Sequence, residues 1–213
     1  NTLVYLLTTS YKNFMSFRIE EKLMISHEHL VDFKELIFQK NAKTISPGRK
    51  ITSLYFENNK NQMYDDSIEG LVPRKKIRIR HYPAEKKRVY YLELKISSEE
   101  GRFKTRKVLS NDERNQLINN GILDEQYGMC KPVLYVTYER EYYLIDDMRV
   151  SIDINIYYRS FDGGELGSDS NCAVELKANI NKNKNHLLNT FPFQRVRFSK
   201  YCNGMEKNRF AII

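Results

Sequence analysis

Cysteine is scarce in this chain and never clustered. Cys130, Cys172 and Cys202 are odd in number, far apart and without a CxxC pair, so neither a disulfide framework nor a zinc knuckle is indicated. The compartment that fits is a reducing cytoplasm. Long apolar runs are missing as well. Leu3 to Leu7 is too short to span a bilayer and lacks the basic flank and cleavage pattern of a secretory signal, so no membrane span is expected. Met15 is a candidate start because a strand pattern begins directly after it, which makes residues 1–15 an N-terminal extension and 16–213 a single domain. The familiar catalytic and nucleotide-binding signatures are also absent: no GxxxxGK[ST] loop, GxGxxG, HExxH or GxSxG occurs. His27 and His29 lie on a surface-helix pattern, while His81 and His186 are isolated; all four read as solvated or structural. No Cys–His spacing proposes a nucleophilic pair.

What the chain has in quantity is positive charge. Lys and Arg number 35 against 27 Asp and Glu, a formal +8, and such a surplus calls for an anionic partner: nucleic acid, an acidic membrane surface or phosphate compounds. Tryptophan is absent, but 15 Tyr and 11 Phe supply strand-forming residues. The patterning is strand-rich throughout. Phe17 to Ile25 reads as a first strand, with Ser26 capping a helix over His27 to Gln39. Pro47-Gly48 marks a turn before a strand from Ile51 to Phe56, and Asn58 to Glu69 reads as loop with a helical turn. Arg88 to Ile96 and Arg102 to Leu109 form a hairpin. Ser110 to Glu113 is a capping box for a short helix ended by Gly121. Val133 to Ile145 pairs with Arg149 to Tyr157, Asp162 to Asn171 reads as a loop, and Cys172 to Ala178 and Arg195 to Phe198 complete the strands.

The run Arg74-Lys75-Lys76-Ile77-Arg78-Ile79-Arg80 carries the most information. At the two-residue period of a strand, Arg74, Lys76, Arg78 and Arg80 share one face. Similar faces recur: Arg18, Glu20 and Lys22; Tyr91, Glu93 and Lys95; Arg102, Lys104 and Arg106; Tyr138, Arg140 and Tyr142; Arg149, Ser151, Asp153 and Asn155; Glu175 and Lys177; Arg195, Arg197 and Ser199. A single cationic face is ordinarily solvated, or guards an edge strand against aggregation. Its repetition on so many strands predicts an α+β fold around a closed or nearly closed β-barrel turned inside out. The lumen of such a barrel is polar and helices cover its apolar outer wall. The acids among those cations have two readings, as salt-bridge partners or as ligands of a hard divalent cation. Glu93 fits the former, and Glu175 fits either.

Lys22, Ser53-Leu54-Tyr55-Phe56, Tyr64, Glu69-Gly70-Leu71, Pro73 to Arg80, Leu92-Glu93-Leu94-Lys95, Lys104-Thr105-Arg106, Tyr138-Glu139-Arg140, Arg149 to Asp153, Glu175-Leu176-Lys177 and Arg197-Phe198-Ser199-Lys200-Tyr201 occur in an order that resembles the catalytic domain of the vacuolar transporter chaperone (VTC) family. That family comprises polyphosphate polymerases of the triphosphate tunnel metalloenzyme superfamily. The resemblance runs from about Phe17 to Met205. It implies an antiparallel eight-stranded tunnel-like β-barrel with helices packed outside, and transfer of the terminal phosphoryl group of a nucleoside triphosphate, ATP above all, to a growing polyphosphate chain with Mn²⁺ or Mg²⁺. By motif it assigns Arg78, Arg80, Arg140 and Lys200 to catalysis and Lys22, Lys95, Lys104, Tyr138, Arg149, Arg197 and Ser199 to substrate binding. Glu175 becomes the metal ligand. Arg197 departs from the lysine that better-known members carry, exchanging a point charge for a planar fork. The competing expectations are a tripolyphosphate or nucleoside-triphosphate hydrolase of the same fold and a non-catalytic polyphosphate or RNA-binding module. Hydrolases of the superfamily resemble a Glu-x-Glu-x-Lys first strand, whereas this chain has Arg18-Ile19-Glu20-Glu21-Lys22. A protected tunnel disfavours duplex nucleic acid as a partner.

Overall fold

The structure, a computed structural model, describes residues 18–179 and 190–210. The expected N-terminal extension and His186 lie outside the described residues. The order of elements is β1 (Arg18–Ser26), α1 (Leu30–Gln39), β2 (Lys43–Asn58), α2 (Gln62–Glu69), β3 (Arg74–His81), β4 (Tyr90–Ser98) and β5 (Gly101–Leu109). There follow α3 (Asn111–Asn120), β6 (Ile122–Asp124), β7 (Gly128–Ile145), β8 (Met148–Ser160), β9 (Glu165–Ser168), β10 (Asn171–Asn179) and α4 (Lys200–Phe210).

Eight strands form one continuous path, β1-β10-β8-β7-β2-β3-β4-β5, and short β6 and β9 are appended to β7 and β8. Among the described residues every strand pairing is antiparallel. The path is not closed by a β1–β5 ladder among the described residues. Instead Arg102 of β5 reaches Glu20 of β1 at 2.5 Å, so side chains bridge the seam that backbone bonds leave open. The fold is thus the expected α+β tunnel, nearly closed.

Several local expectations are corrected. Pro47-Gly48 makes no turn: β2 runs through both residues, with register shifts between Ser46 and Arg49. Proline lacks an N–H for the ladder, and a bulge absorbs the interruption. Helix α1 starts at Leu30 with His29 at its N-cap. Ser26 instead accepts from the His29 amide and pairs with the His29 ring, fixing the turn that precedes the helix. The expected Asp162 to Asn171 loop contains β9. The strand expected over Arg195 to Phe198 reduces to one bridge, Leu23 to Arg195, before the chain turns into α4. The capping box is present: Ser110 Oγ accepts from the Glu113 amide, and Glu113 accepts from the Ser110 amide.

Apolar residues pack in two places. Phe33 and Ile37 of α1 lie with Leu23, Ile25, Val150, Ile152, Val174 and Leu176 on the outer side of β1, β10 and β8, covering the wall as expected. The helices α2 and α4 belong to a second cluster with Phe56, Met63, Leu134, Val136, Tyr158, Tyr201 and Met205. Leu134 pairs with Tyr55 and Val136 with Ser53, both lumen-facing, so α4 fills part of the inner face rather than covering the outside. Gly204 permits this close seat: a Cβ there would stand 2.6 Å from Leu134 Cδ2 and 2.7 Å from Tyr158 Cδ1. Glu57, buried beneath, accepts amides from Asn58, Met63 and Tyr64 and the Tyr201 hydroxyl. It ties the start of α2 to α4 through the orphan amides of a helix N-terminus.

Candidate active site

Strand alternation delivers the cationic faces to one place. A cavity of about 420 Å³ is lined by Lys22 of β1, Arg78 and Arg80 of β3, Lys95 of β4, Lys104 of β5, Tyr138 and Arg140 of β7, Arg149 of β8 and Glu175 of β10. Ser199 and Lys200 join from the start of α4. Eleven of the twelve expected site residues therefore meet there. Arg197 does not: its guanidinium donates to the Ser67 carbonyl at 2.6 Å, bracing α2. The alternation that would have aimed it inward fails because the segment is not a regular strand.

Within the lumen the cations are held by a few carboxylates. Glu93, fully buried, receives Arg78 at 2.6 Å, Lys104 at 2.7 Å, Arg106 at 3.3 Å and Arg80 at 3.7 Å. Burial alone would raise its pKa, but Arg78 and Arg80 outweigh that and hold the carboxyl at about 2. Arg80 is further aimed by Ser53 and by the Tyr138 hydroxyl, each at 3.1 Å. Arg78 donates to the Tyr55 hydroxyl at 2.9 Å. Asp153, also buried, takes a two-point bond from Arg140 at 2.5 and 2.6 Å and one from Lys200 at 2.5 Å. Burial opposes its ionisation, yet Lys200 and Arg140 bring its pKa to about 2. Arg140 and Lys200 are thereby fixed side by side, with Lys200 4.7 Å from the Tyr138 ring centre.

The lysines show the electrostatic cost of this assembly. Lys22, Lys76 and Lys95 all fall below the ordinary lysine pKa because burial disfavours the ammonium. Lys95 falls furthest, with Arg78 adding repulsion. A preorganised positive lumen of this kind is short of negative charge and gains by taking an anion. Ser199 adds a helix terminus: its Oγ accepts the Cys202 amide at 3.3 Å and it accepts Lys76 Nζ at 2.8 Å. The start of α4 thus opens onto the cavity with its partial positive charge.

Arg74, Lys76, Asp153 and Lys177 also line the cavity, although motif comparison assigned them no role. Each sits on a face the alternation had already marked, and that was the available signal. The helical setting of Ser199 and Lys200 had no comparable signal.

Among the lumen carboxylates, Glu93 and Asp153 are saturated by cations. Glu20 is shared by Arg102 at 2.5 Å and Lys177 at 3.1 Å. Glu175 has one looser partner, Lys177 at 3.4 Å, and lies opposite Lys22 in the ladder. Burial would raise its pKa, but Lys177 and Arg140 lower it, so it is ionised at neutral pH. Among the described residues no group of three metal-ligating side chains occurs. A carboxylate so loosely paired suits Mg²⁺ or Mn²⁺, which keep water and bind through one or two carboxylates plus substrate phosphates. Among the described residues no histidine lines this cavity, and no helix is long and apolar enough to cross a membrane.

The fold is shared with solved structures of low identity. A candidate adenylate cyclase from Bacillus halodurans matches with a TM-score of 0.55 at 19% identity, covering 86% of this chain and 94% of the other. The PH1819 protein from Pyrococcus horikoshii gives 0.56 at 15%, covering 89% and 99%. A Hippeastrum adenylyl-cyclase candidate, reported to have a dominant triphosphatase activity, gives 0.55 at 15%, covering 89% and 95%. At these identities the likeness concerns the tunnel fold alone. No curated protein matches the chain in sequence. A family profile described as the VTC domain matches residues 17–208, and the chain therefore belongs to the VTC domain family.

Proposed function

We propose that this protein is a metal-dependent phosphotransferase that moves the terminal phosphoryl group of a nucleoside triphosphate, ATP in the simplest case, onto a polyphosphate chain. The observation that carries this reading is the convergence of Arg78, Arg80, Lys95, Lys104, Arg140 and Lys200 from separate elements on one cavity, beside a single loosely paired carboxylate, Glu175. Family membership and the triphosphatase activity of the Hippeastrum neighbour support a triphosphate as the ligand.

In this reading Arg78 and Arg80 present paired donors to phosphate oxygens, while the lysines add point charge. Arg140 and Lys200, locked by Asp153, face the phosphoryl group in transit and stabilise the charge that spreads over its oxygens. Their geometry is set before substrate arrives, so little reorganisation is needed at the moment of transfer. Glu175 would hold Mn²⁺ or Mg²⁺ together with the triphosphate. A bound divalent ion supplies neutralisation of the β- and γ-phosphate oxygens. The terminal oxygen of the acceptor chain forms a bond to the γ-phosphorus as the bond to the β-phosphate oxygen breaks, releasing the nucleoside diphosphate. That acceptor is already ionised at neutral pH, so no general base is required.

Incubation of the full chain with ATP and Mn²⁺, followed by gel analysis for polyphosphate that a polyphosphatase degrades, tests the reading. Polyphosphate with matching diphosphate release supports it. Inorganic phosphate alone would show transfer to water, and tight binding without turnover would show a binding module; either result overturns the polymerase assignment.

A further inference from the structure

The outer face of the same sheet carries a second basic groove that the tunnel chemistry does not use. Thr52 and Thr137 share a 3.2 Å hydroxyl contact on the side opposite lumen-facing Ser53 and Tyr138. They help line a cavity of about 300 Å³ with His81, Arg88, Tyr90, Arg114, Tyr135, Tyr157 and Arg159. A further cavity of about 420 Å³ shares Thr52, Thr137 and Tyr157 and adds Lys50 and Glu139, so the groove continues along the sheet.

Two of its guanidinium groups are stacked. Arg114 lies 4.4 Å over the Tyr90 ring and Arg159 lies 4.6 Å over the Tyr135 ring. Stacking fixes the plane of each guanidinium without using its N–H donors, of which Arg114 gives one to Asn115 Oδ1 at 2.9 Å, and that orientation suits phosphate recognition. It also covers one face of each ring, which disfavours base stacking. Arg88 ends the exposed run Lys86-Lys87-Arg88 at the rim. Among the described residues no carboxylate lies within ion-pair distance of Arg88, Arg114 or Arg159. Glu165 bonds to Tyr157 at this edge, and Glu139 lies in the continuing part of the groove. The ring of His81 stacks obliquely on Tyr90 at 5.3 Å and reports the local field. Burial, then Arg88 and Arg114, depress its pKa to about 4, with no opposing acid.

We infer that this outer groove is a second anion site that takes a phosphoanhydride chain, inorganic or carried on a nucleotide. The site is separated from the lumen by the sheet itself, and the inference does not depend on which reaction the tunnel performs.

The test follows the His81 ring by NMR in the full chain. The pH is held between its free value of about 4 and the ordinary histidine value of 6.5, while tripolyphosphate, ATP or sodium chloride of equal ionic strength is added. Tripolyphosphate protonates His81 saturably and salt does not. In the Arg88→Gln/Arg114→Gln variant the ligand-induced change needs about tenfold more tripolyphosphate, while binding in the tunnel, read by calorimetry, is retained. Arg114→Gln alone supplies the same readout if the double variant folds poorly. A response to tripolyphosphate alone assigns the inorganic chain, and a response to both ligands assigns the phosphate chain in either form. A response to ATP only assigns the chain carried on a nucleotide; an equal response to salt, or none at concentrations saturating the tunnel, overturns the inference.

Discussion

The two walls of the tunnel carry different chemistry. On the β3–β4–β5 wall, Arg74, Lys76, Arg78, Arg80, Lys95 and Lys104 face the cavity around one carboxylate, Glu93. Across the lumen, β1, β10 and β8 set Glu20, Glu175 and Asp153 among Lys22, Lys177 and Arg149. The first wall has cations in excess and suits phosphate oxygens. The second mixes signs and contributes Glu175, the most loosely paired of the carboxylates that face the lumen. In the proposed reading, binding of phosphates and holding of a metal are thus divided between opposite sides of one cavity.

The sharpest way to break this division is Glu93→Gln. Removing the anion that four cations share should destabilise the fold by roughly 3–5 kcal/mol, as when one partner of a buried ion pair is lost. Urea unfolding would measure it, and saturating tripolyphosphate should restore part of the loss by supplying negative charge. Unchanged stability would mean that the phosphate wall does not depend on Glu93.

Arg80→Ala comes next. Loss of a charged donor already aimed by Ser53 and Tyr138 should weaken triphosphate binding by roughly ten- to hundredfold, read by calorimetry. A smaller and more graded effect is expected from pH. Glu93 and Asp153 titrate near 2 in the fold, below their ordinary 4.5 and 3.8. The unfolded chain therefore binds more protons in that window, and the stability they confer, complete above it, is lost as pH falls from about 4.5 toward 2. Lys22, Lys76 and Lys95 are also shifted down. Between their lowered values and 10.5 the unfolded chain again holds more protons, so the ligand-free protein gains stability as pH rises. Bound tripolyphosphate should abolish that alkaline gain in melting temperature by keeping the ammonium groups charged. The smallest effect belongs to Arg197→Ala. Its bond to the Ser67 carbonyl contributes about 1 kcal/mol, and triphosphate affinity should be unchanged.

The phosphate wall was legible in the sequence because strand period is two and β3, β4 and β5 are regular. Once Arg78 faces inward, so must Arg74, Lys76 and Arg80. Legibility ended where regularity did. Arg195 to Phe198 alternates like a strand, yet α4 follows at once, so Arg197 leaves the lumen while Ser199 and Lys200 enter it from a helix end. The cluster of Arg140, Asp153 and Lys200 draws on β7, β8 and α4, and no local window of sequence displays it. Pro47-Gly48 has the composition of a turn, but long-range pairing with β7 carries the strand through it.

The division of labour between the walls is tested most directly by titrating ATP, with and without Mn²⁺, into the native chain and the Glu175→Gln variant. Metal-free binding should be equal or slightly tighter in the variant, and the gain in affinity that Mn²⁺ gives the native chain should disappear. A variant that loses metal-free binding, or keeps the full Mn²⁺ gain, would contradict the account.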